Sequence, residues 1–191
     1  MKLVFATHNL GKLQEVRELL SPDYEVIGLN DLGDHEEIEE TALTLEGNAW
    51  IKARTVWENH GLSCFSDDTG LEIEALNNAP GVFSARYAGQ AKSPDANMDK
   101  VLTELNGVKN RKARFRTAVA LVLQGEEYLF EGTVQGEITS VRSGVKGFGY
   151  DPIFSPDGFS GTFAEMDAAT KNEISHRGLA MKKLIAFLSA H

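Results

Sequence analysis

The chain has 191 residues, a formal net charge of -9, and the apolar and charged fractions of an ordinary globular protein. Its length suits one domain, or one domain with two lobes, that buries a substantial core. The acidic charge argues against a nucleic-acid partner, and no apolar run is long enough to cross a membrane.

A single cysteine, Cys64, rules out an internal disulfide framework, so we expect a reducing, cytoplasmic location. Cys64 lies in the apolar run Leu62-Ser63-Cys64-Phe65, which predicts a small core residue and not a reactive thiol. The apolar stretch at the start of the chain is too short for a signal peptide.

Helix and strand patterns are mixed along the chain. The first helix is expected between a capping Asn9 and Pro22, and its apolar face comprises Leu13, Val16, Leu19 and Leu20. Further helices are predicted at 46–59, at 94–105 and from about Ser175 to the end. Strands are predicted at 2–6, 24–29, 62–66 and 71–76, and a long hairpin at 115–123 and 128–138. This mixture predicts an α/β fold in which helices flank a mixed sheet.

The first candidate site is Thr7-His8-Asn9-Leu10-Gly11-Lys12, at a junction between strand and helix. Main-chain N–H groups at a helix N-terminus, with a lysine and a hydroxyl nearby, form a natural phosphate cradle. The stretch lacks the two glycines and the Lys-Ser/Thr pair of a P-loop. A helix cap beside a solvated lysine is the alternative.

The second candidate is Asp67-Asp68-Thr69-Gly70, directly after a predicted buried strand. Neighbouring residues on an extended chain point in opposite directions, so only one of the two acids needs to face a site. A carboxylate at the rim of a sheet can hold Mg²⁺ or accept a proton from water. Aspartate at a strand end can also serve the turn alone.

Lys52 falls on or beside the apolar stripe of the second predicted helix. Because a lysine is rarely buried without a partner, Lys52 either extends to solvent from the edge of the stripe or reaches an anion. The acidic loop at 34–40 is expected to be solvated, unless one of its carboxylates completes a metal site with Asp68.

Two more candidates lie in the C-terminal half. Residues 143–152 place three glycines around Phe148 and Tyr150, which indicates either a tight loop presenting aromatic faces for base stacking or a bare turn. Ser175 is expected to cap the last helix, which puts His176 and Arg177 in a first turn whose dipole disfavours positive charge. Such an unfavourable placement favours a functional role.

Six motifs follow one another along the chain: Thr-x-Asn-x-x-Lys at 7–12, Asn-Ala-x-x-Lys-Ala at 48–53, Asp-Asp-Thr-Gly-Leu at 67–71, Ala-Pro-Gly-Val-x-Ser-Ala-Arg-Tyr at 79–87, Gly-Phe-Gly-Tyr-Asp-Pro-Ile-Phe at 147–154 and Lys-Asn-x-x-Ser-His-Arg at 171–177. In this order they resemble the inosine triphosphate pyrophosphatase family. The match extends from Thr7 to the final helix.

The resemblance implies an elongated mixed sheet with flanking helices, two lobes around a central cleft, and a homodimer. It implies Mg²⁺-dependent cleavage of ITP, dITP and XTP to the monophosphate and pyrophosphate. Asp68 would be the catalytic base and a Mg²⁺ ligand with Glu40, and Asp67 would matter far less. The triphosphate would be bound by Thr7, His8, Asn9, Leu10, Gly11, Lys12, Lys52 and Thr69. The base pocket would comprise Phe148, Gly149, Tyr150, Asp151, Lys171, His176 and Arg177.

Asn78 and Ser143 depart from the family pattern without touching a named role, and Glu39 stays an alternative to Glu40 as metal ligand. Two other interpretations compete with the resemblance. A Maf-like pyrophosphatase of other base preference is disfavoured by the Gly-Phe-Gly-Tyr-Asp and Ser-His-Arg motifs. A non-catalytic nucleotide-binding module is disfavoured by Asp68 and the acids near it.

Overall fold

The computed structural model describes residues 1–20 and 24–190, and these contain seven strands and six α-helices. The strands are Lys2–Phe5 (β1), Glu25–Gly28 (β2), Cys64–Ile73 (β3), Pro80–Gly81 (β4), Lys112–Leu123 (β5), Glu126–Ile138 (β6) and Phe154–Pro156 (β7). The helices are Leu10–Leu19 (α1), Leu29–Leu32 (α2), Leu45–His60 (α3), Pro94–Glu104 (α4), Ala168–Ile174 (α5) and His176–Leu188 (α6). The predicted α/β fold is confirmed, although the short helices α2 and α5 were missed. Pro22, expected after the first helix, lies outside the described residues.

Capping side chains set the helix ends as expected. The Oδ1 atom of Asn9 accepts a hydrogen bond from the main-chain N of Lys12 at 3.0 Å, at the start of α1. The hydroxyl of Ser175 accepts one from the N of Gly178 at 3.1 Å, at the start of α6. Gly61 ends α3 with a φ of 63°, a left-handed conformation that glycine adopts without strain.

The strands form one mixed sheet in the order β2-β1-β3-β5-β6-β7, with β4 paired to β3. Strand β1 is parallel to β2 and β3, whereas β4 is antiparallel to β3 and β7 is antiparallel to β6. The predicted hairpin of β5 and β6 is confirmed. Its two connecting residues, Gln124 and Gly125, have φ values of 53° and 91°, as a type I′ turn requires.

The chain divides into two compact units, each with its own apolar core. The first unit comprises residues 1–68, 118–131 and 180–191, and the second comprises 69–117 and 132–179. In the first core, the rings of Phe5 and Phe65 stack at 4.5 Å between centroids. In the second, the ring of Phe115 packs edge-on against Phe154 at 4.7 Å.

Cys64 is a buried free thiol in the first unit, and burial raises its pKa to about 12. The thiol therefore stays protonated near neutral pH, as expected of a core residue. Among the described residues, helices long and apolar enough to cross a membrane are absent.

Candidate active site

The acid pair Asp67-Asp68 lies inside β3, and the prediction that it follows a strand is wrong. The strand continues from Cys64 to Ile73, so the two strands predicted on either side of the pair are one. The polar run Asp-Asp-Thr-Gly has the composition of a turn. Pairing with β1 before the acids and with β4 after them holds the segment extended and overrides that local preference.

Alternation along β3 directs the two acids to two different helices. The Asp67 carboxylate contacts Lys12 of α1. On the opposite face, the side chains of Cys64 and Ser66 donate to main-chain carbonyls of α3. Asp68 is the next residue on that face, since side chains two apart on a strand share a side.

Asp67 fixes the amino group of Lys12, a role that sequence reasoning missed. The Nζ atom of Lys12 lies 3.0 Å from each carboxylate oxygen of Asp67. The Asp67 side chain is only 4% exposed, so this ion pair is shielded from solvent on the acid's side. The partners are 55 residues apart in sequence, and only the parallel pairing of β1 with β3 brings them together.

Lys52 reaches from α3 into a group of acids. Its Nζ donates to the Oε1 of Glu40 at 2.6 Å and to the main-chain oxygen of Asp67 at 2.7 Å. Burial acts to lower the pKa of Lys52, but the carboxylates of Asp68, Asp67 and Glu40 outweigh it, so the pKa is raised. Lys52 is therefore a charged lysine among anions, with a side chain 15% exposed, and not a lysine that extends to solvent.

The carboxyl group of Asp68 is strongly perturbed by its surroundings. Burial raises its pKa to about 6, and the attraction of Lys52 opposes that rise. The negative charges of Glu40 and Asp67 raise the pKa further, and the amide of Asn48 counteracts them. A carboxylate with a pKa close to neutral is ionised at physiological pH and still basic enough to accept a proton.

The turn between β1 and α1 is shaped by two of the predicted residues. The Oγ1 atom of Thr7 accepts a hydrogen bond from the main-chain N of Asn9 at 3.1 Å, and Asn9 in turn caps α1. A Cβ atom on Gly11 would lie 3.3 Å from the capping oxygen of Asn9. These residues therefore fix the start of the helix that carries Lys12.

The side chains of His8 and Leu10 point elsewhere. The ring nitrogens of His8 lie 3.2 Å from Oδ1 of Asn30 and 3.1 Å from the main-chain oxygen of Glu36. His8 thus connects the turn to the acidic loop, while Leu10 is 68% exposed. The predicted role of both residues in phosphate binding depends on their main-chain N–H groups.

In the second unit, Asp151 gathers several of the predicted base-binding residues. Its carboxylate accepts hydrogen bonds from the N of Phe148 at 2.8 Å and from the Nζ of Lys171. The Nζ of Lys171 and the guanidinium carbon of Arg177 lie 5.0 Å and 5.6 Å from the centre of the Phe148 ring. A Cβ atom on Gly147 would lie 2.0 Å from the Asp151 carboxylate, so only glycine fits there.

Of the two aromatic rings in the loop at 147–151, Phe148 is the one with an exposed face. It is 65% exposed, whereas Tyr150 is 5% exposed and its hydroxyl donates to the main-chain oxygen of Ser84 at 2.7 Å. The expectation of a second exposed ring at Tyr150 is therefore wrong, because the core of the second unit takes that ring. His176 is 8% exposed and stacks on Phe115 at 4.6 Å between centroids.

Two further predicted residues also lie in the second unit. Gly149 has a φ of 62° in the loop of Phe148. The hydroxyl of Thr69 lies 2.7 Å from that of Thr117 on β5. Gly149 thus allows the tight turn, and the Thr69 hydroxyl is held beside β5.

Comparison with known proteins identifies the family. Residues 3–187 match the Ham1 family, and the chain belongs to it. A dITP/XTP pyrophosphatase of Flavobacterium johnsoniae is 50% identical over 190 residues, which cover 100% of this chain and 99% of the relative. The Ham1 protein of Coxiella burnetii has the same fold, with a TM-score of 0.95, 39% identity and 100% coverage of both chains. The Ham1 protein of Staphylococcus aureus gives a TM-score of 0.94 at 39% identity, covering 100% of this chain and 99% of its own.

Proposed function

We propose that this protein hydrolyses non-canonical purine nucleoside triphosphates, among them ITP, dITP and XTP, to the monophosphate and pyrophosphate. The substrate class is supported by full-length relatives named dITP/XTP pyrophosphatase, one of them 50% identical. The observation that carries the chemistry is Asp68. Its buried carboxylate, with a pKa raised to about 6, lies in the field of Lys52 and Glu40.

We propose Mg²⁺ as the cofactor, held by Glu40 and Asp68, with Glu39 as the alternative to Glu40. Carboxylate oxygens are the donors that Mg²⁺ prefers, and it commonly takes one or two of them together with water and substrate phosphates. Water and phosphate oxygens of the substrate would complete the coordination. When bound, the ion would neutralise charge on the triphosphate and polarise the α-phosphate.

In this proposal Asp68 orients a water molecule and accepts its proton while the water oxygen attacks the α-phosphorus. The bond between the α-phosphorus and the bridging oxygen breaks, and pyrophosphate leaves with that oxygen. Lys12 and Lys52 balance the charge of the departing group. The Nζ of Lys12 lies 3.0 Å from each carboxylate oxygen of Asp67, so in this proposal Asp67 positions the Lys12 amino group for binding the phosphates.

Base selectivity in this proposal comes from Phe148 and Arg177. Hypoxanthine and xanthine carry an oxygen at C6 and an N–H at N1, whereas adenine carries an amino group and a bare nitrogen. The exposed ring of Phe148 offers a stacking face, and the guanidinium of Arg177 lies 5.6 Å from its centre. A donor there satisfies the C6 oxygen and has no acceptor in adenine. Guanine shares the C6 oxygen, so in this proposal it is rejected at its 2-amino group, by crowding or by an unpaired donor.

We also propose a homodimer and a cytoplasmic location, both supported by the family resemblance. The buried, protonated thiol of Cys64 suits a reducing compartment. Light scattering of the purified protein tests the dimer, and a monomeric mass at all concentrations would contradict it.

A nucleotide panel tests the proposed activity. With Mg²⁺ present, ITP, dITP and XTP should release pyrophosphate, GTP should be much slower, and ATP should be as slow as GTP or slower. Preference for other nucleotides would favour a Maf-like specificity, and binding without hydrolysis would favour a non-catalytic module. Release of orthophosphate in place of pyrophosphate would overturn the proposal.

A further inference from the structure

Asn48 is a fully buried polar residue on the same helix as Lys52, and the proposed reaction leaves it without a role. It is 0% exposed and lies one helical turn before Lys52, within the Asn-Ala-x-x-Lys-Ala motif. An amide taken out of water destabilises a fold unless its donor and acceptor are both satisfied. An apolar side chain would fill this position without that difficulty.

The acceptor of Asn48 fixes the loop that carries Glu40. Its Oδ1 accepts a hydrogen bond from the main-chain N of Ala42 at 2.9 Å, two residues after Glu40. The loop lies close to the helix there, since a Cβ atom on Gly47 would be 2.5 Å from the Cβ of Ala42. The main chain beside Glu40 is therefore held on the first turns of α3, while Lys52 holds the Glu40 carboxylate at 2.6 Å.

The donor group of Asn48, its Nδ2, lies near the carboxylate of Asp68. Its Nδ2 is buried, and within residues 1–20 and 24–190 it has no hydrogen-bond acceptor at ordinary distance. The Asn48 amide nevertheless lies close enough to Asp68 to favour the ionised carboxylate. The contacts of Cys64 and Ser66 with α3 bring Asp68 toward the start of that helix.

We propose that Asn48 is a positioning residue that orients both carboxylates of the active site, those of Glu40 and Asp68. Its Oδ1 fixes the main chain of the Glu40 loop, and its Nδ2 provides a donor that orients the ionised Asp68 carboxylate for attack on the α-phosphate. Hydrogen bonds of this kind are often long in the empty enzyme and shorten in the substrate complex. The inference rests on the proposed function for the reaction, but the coupling between Asn48 and Asp68 can be measured without it.

Asn48→Leu tests the inference, because leucine has the same number of side-chain heavy atoms with the same branching and lacks both hydrogen-bonding groups. With dITP and saturating Mg²⁺, the folded variant should lose roughly 10- to 100-fold in kcat, as misplaced catalytic groups do, with KM changed by less than about threefold. If leucine prevents folding, Asn48→Ala removes both groups with a smaller side chain, and the same fall in kcat is expected.

A double-mutant cycle in metal-free protein at about pH 8 separates positioning from packing. Asp68→Asn should raise Tm by roughly 2–4 °C more in the Asn48→Leu background than in the wild type. Gly47→Ala is the matched control: it displaces the same loop but keeps the amide, so the effect of Asp68→Asn should equal that in wild type.

The inference would be overturned if Asp68→Asn raised Tm equally in the Asn48→Leu and wild-type backgrounds. A wild-type kcat in a folded Asn48 variant would also overturn it. Failure of the wild type to release pyrophosphate would instead overturn the proposed function. The Tm cycle would still decide whether Asn48 acts through Asp68.

Discussion

Replacing Asp68 with Asn is expected to stabilise the metal-free protein while it strongly lowers the activity. Burial, opposed by Lys52, raises the pKa of the Asp68 carboxyl from its ordinary 3.8 to about 6. The unfolded chain ionises this group near the ordinary value, so the folded protein carries an unfavourable charge above about pH 6. The folded and unfolded pKa values differ by about 2, so the ionised carboxylate lowers the free energy of unfolding by about 3 kcal/mol. Asparagine carries no charge and does not lower it.

The direction of the pH dependence follows from the raised pKa. The destabilisation is fully present above pH 6 and disappears as the pH falls from 6 to 3.8, where folded and unfolded states both bind the proton. At about pH 8 the variant should therefore exceed wild type by up to about 3 kcal/mol, or roughly 6–12 °C in Tm. Near pH 4 the two proteins should be about equally stable.

Urea unfolding followed by circular dichroism, in EDTA at about pH 4, 6 and 8, measures these differences. Asp67→Asn is the matched control: it breaks the ion pair with Lys12 and should be less stable than wild type at about pH 8. Turnover of dITP by Asp68→Asn should fall by roughly 10²- to 10⁴-fold. A variant that is no more stable than wild type at about pH 8, or one whose advantage is the same at every pH, would refute this account of Asp68.

Three further substitutions test other parts of the structure. Lys52→Met should have a lower turnover and a lower Tm at about pH 8, because Glu40 and Asp68 would then lack their cation. Added Mg²⁺ should restore part of the lost Tm, and an unchanged Tm in the metal-free variant would contradict the ion-pair arrangement. Arg177→Ala should lower kcat/KM for ITP much more than kcat/KM for ATP, so the preference for ITP becomes smaller. The loss for ITP should reach up to about 10⁴-fold if the donor is fully buried against the base. An equal loss for both nucleotides would exclude Arg177 from base selection. Gln124→Asn should raise Tm slightly, by about 1–3 °C, since asparagine adopts the left-handed φ of 53° more readily than glutamine; a lower Tm would argue against the type I′ turn.

Most of the fold could be predicted from the sequence because its signals are local. Apolar periodicity and capping residues such as Asn9 and Ser175 define helices over a few residues, and the structure confirms these caps. Gln124-Gly125 identifies the hairpin in the same way. The short helices α2 and α5 were missed because segments of four and seven residues carry too little periodicity.

The contacts of the site depend on pairing between distant strands, which no local pattern records. The Asp-Asp-Thr-Gly run has turn composition, yet strand pairing keeps it within β3. Asp67 received no role because its partner Lys12 is 55 residues away. The sequence predicts an exposed Tyr150 beside Phe148, but the ring is buried and its hydroxyl donates to the main-chain oxygen of Ser84, which is 66 residues away in sequence.

The role of Asn48 also could not be predicted from the sequence. Its motif was recognised in the sequence, but a buried asparagine and a surface asparagine look alike there. Complete burial and the hydrogen bond that its Oδ1 accepts from the Ala42 N–H, at 2.9 Å, distinguish the two. Roles of this kind become visible only when burial and hydrogen-bond partners are known.

Isotope labelling in H₂¹⁸O tests most directly the central claim, which is attack of an Asp68-activated water on the α-phosphorus. The protein is incubated with dITP and Mg²⁺ in labelled water, and mass spectrometry locates the ¹⁸O in the products. We predict one ¹⁸O atom in dIMP and none in pyrophosphate, since the bond between the α-phosphorus and the bridging oxygen is the one that breaks. Label in pyrophosphate, or release of orthophosphate, would contradict the account.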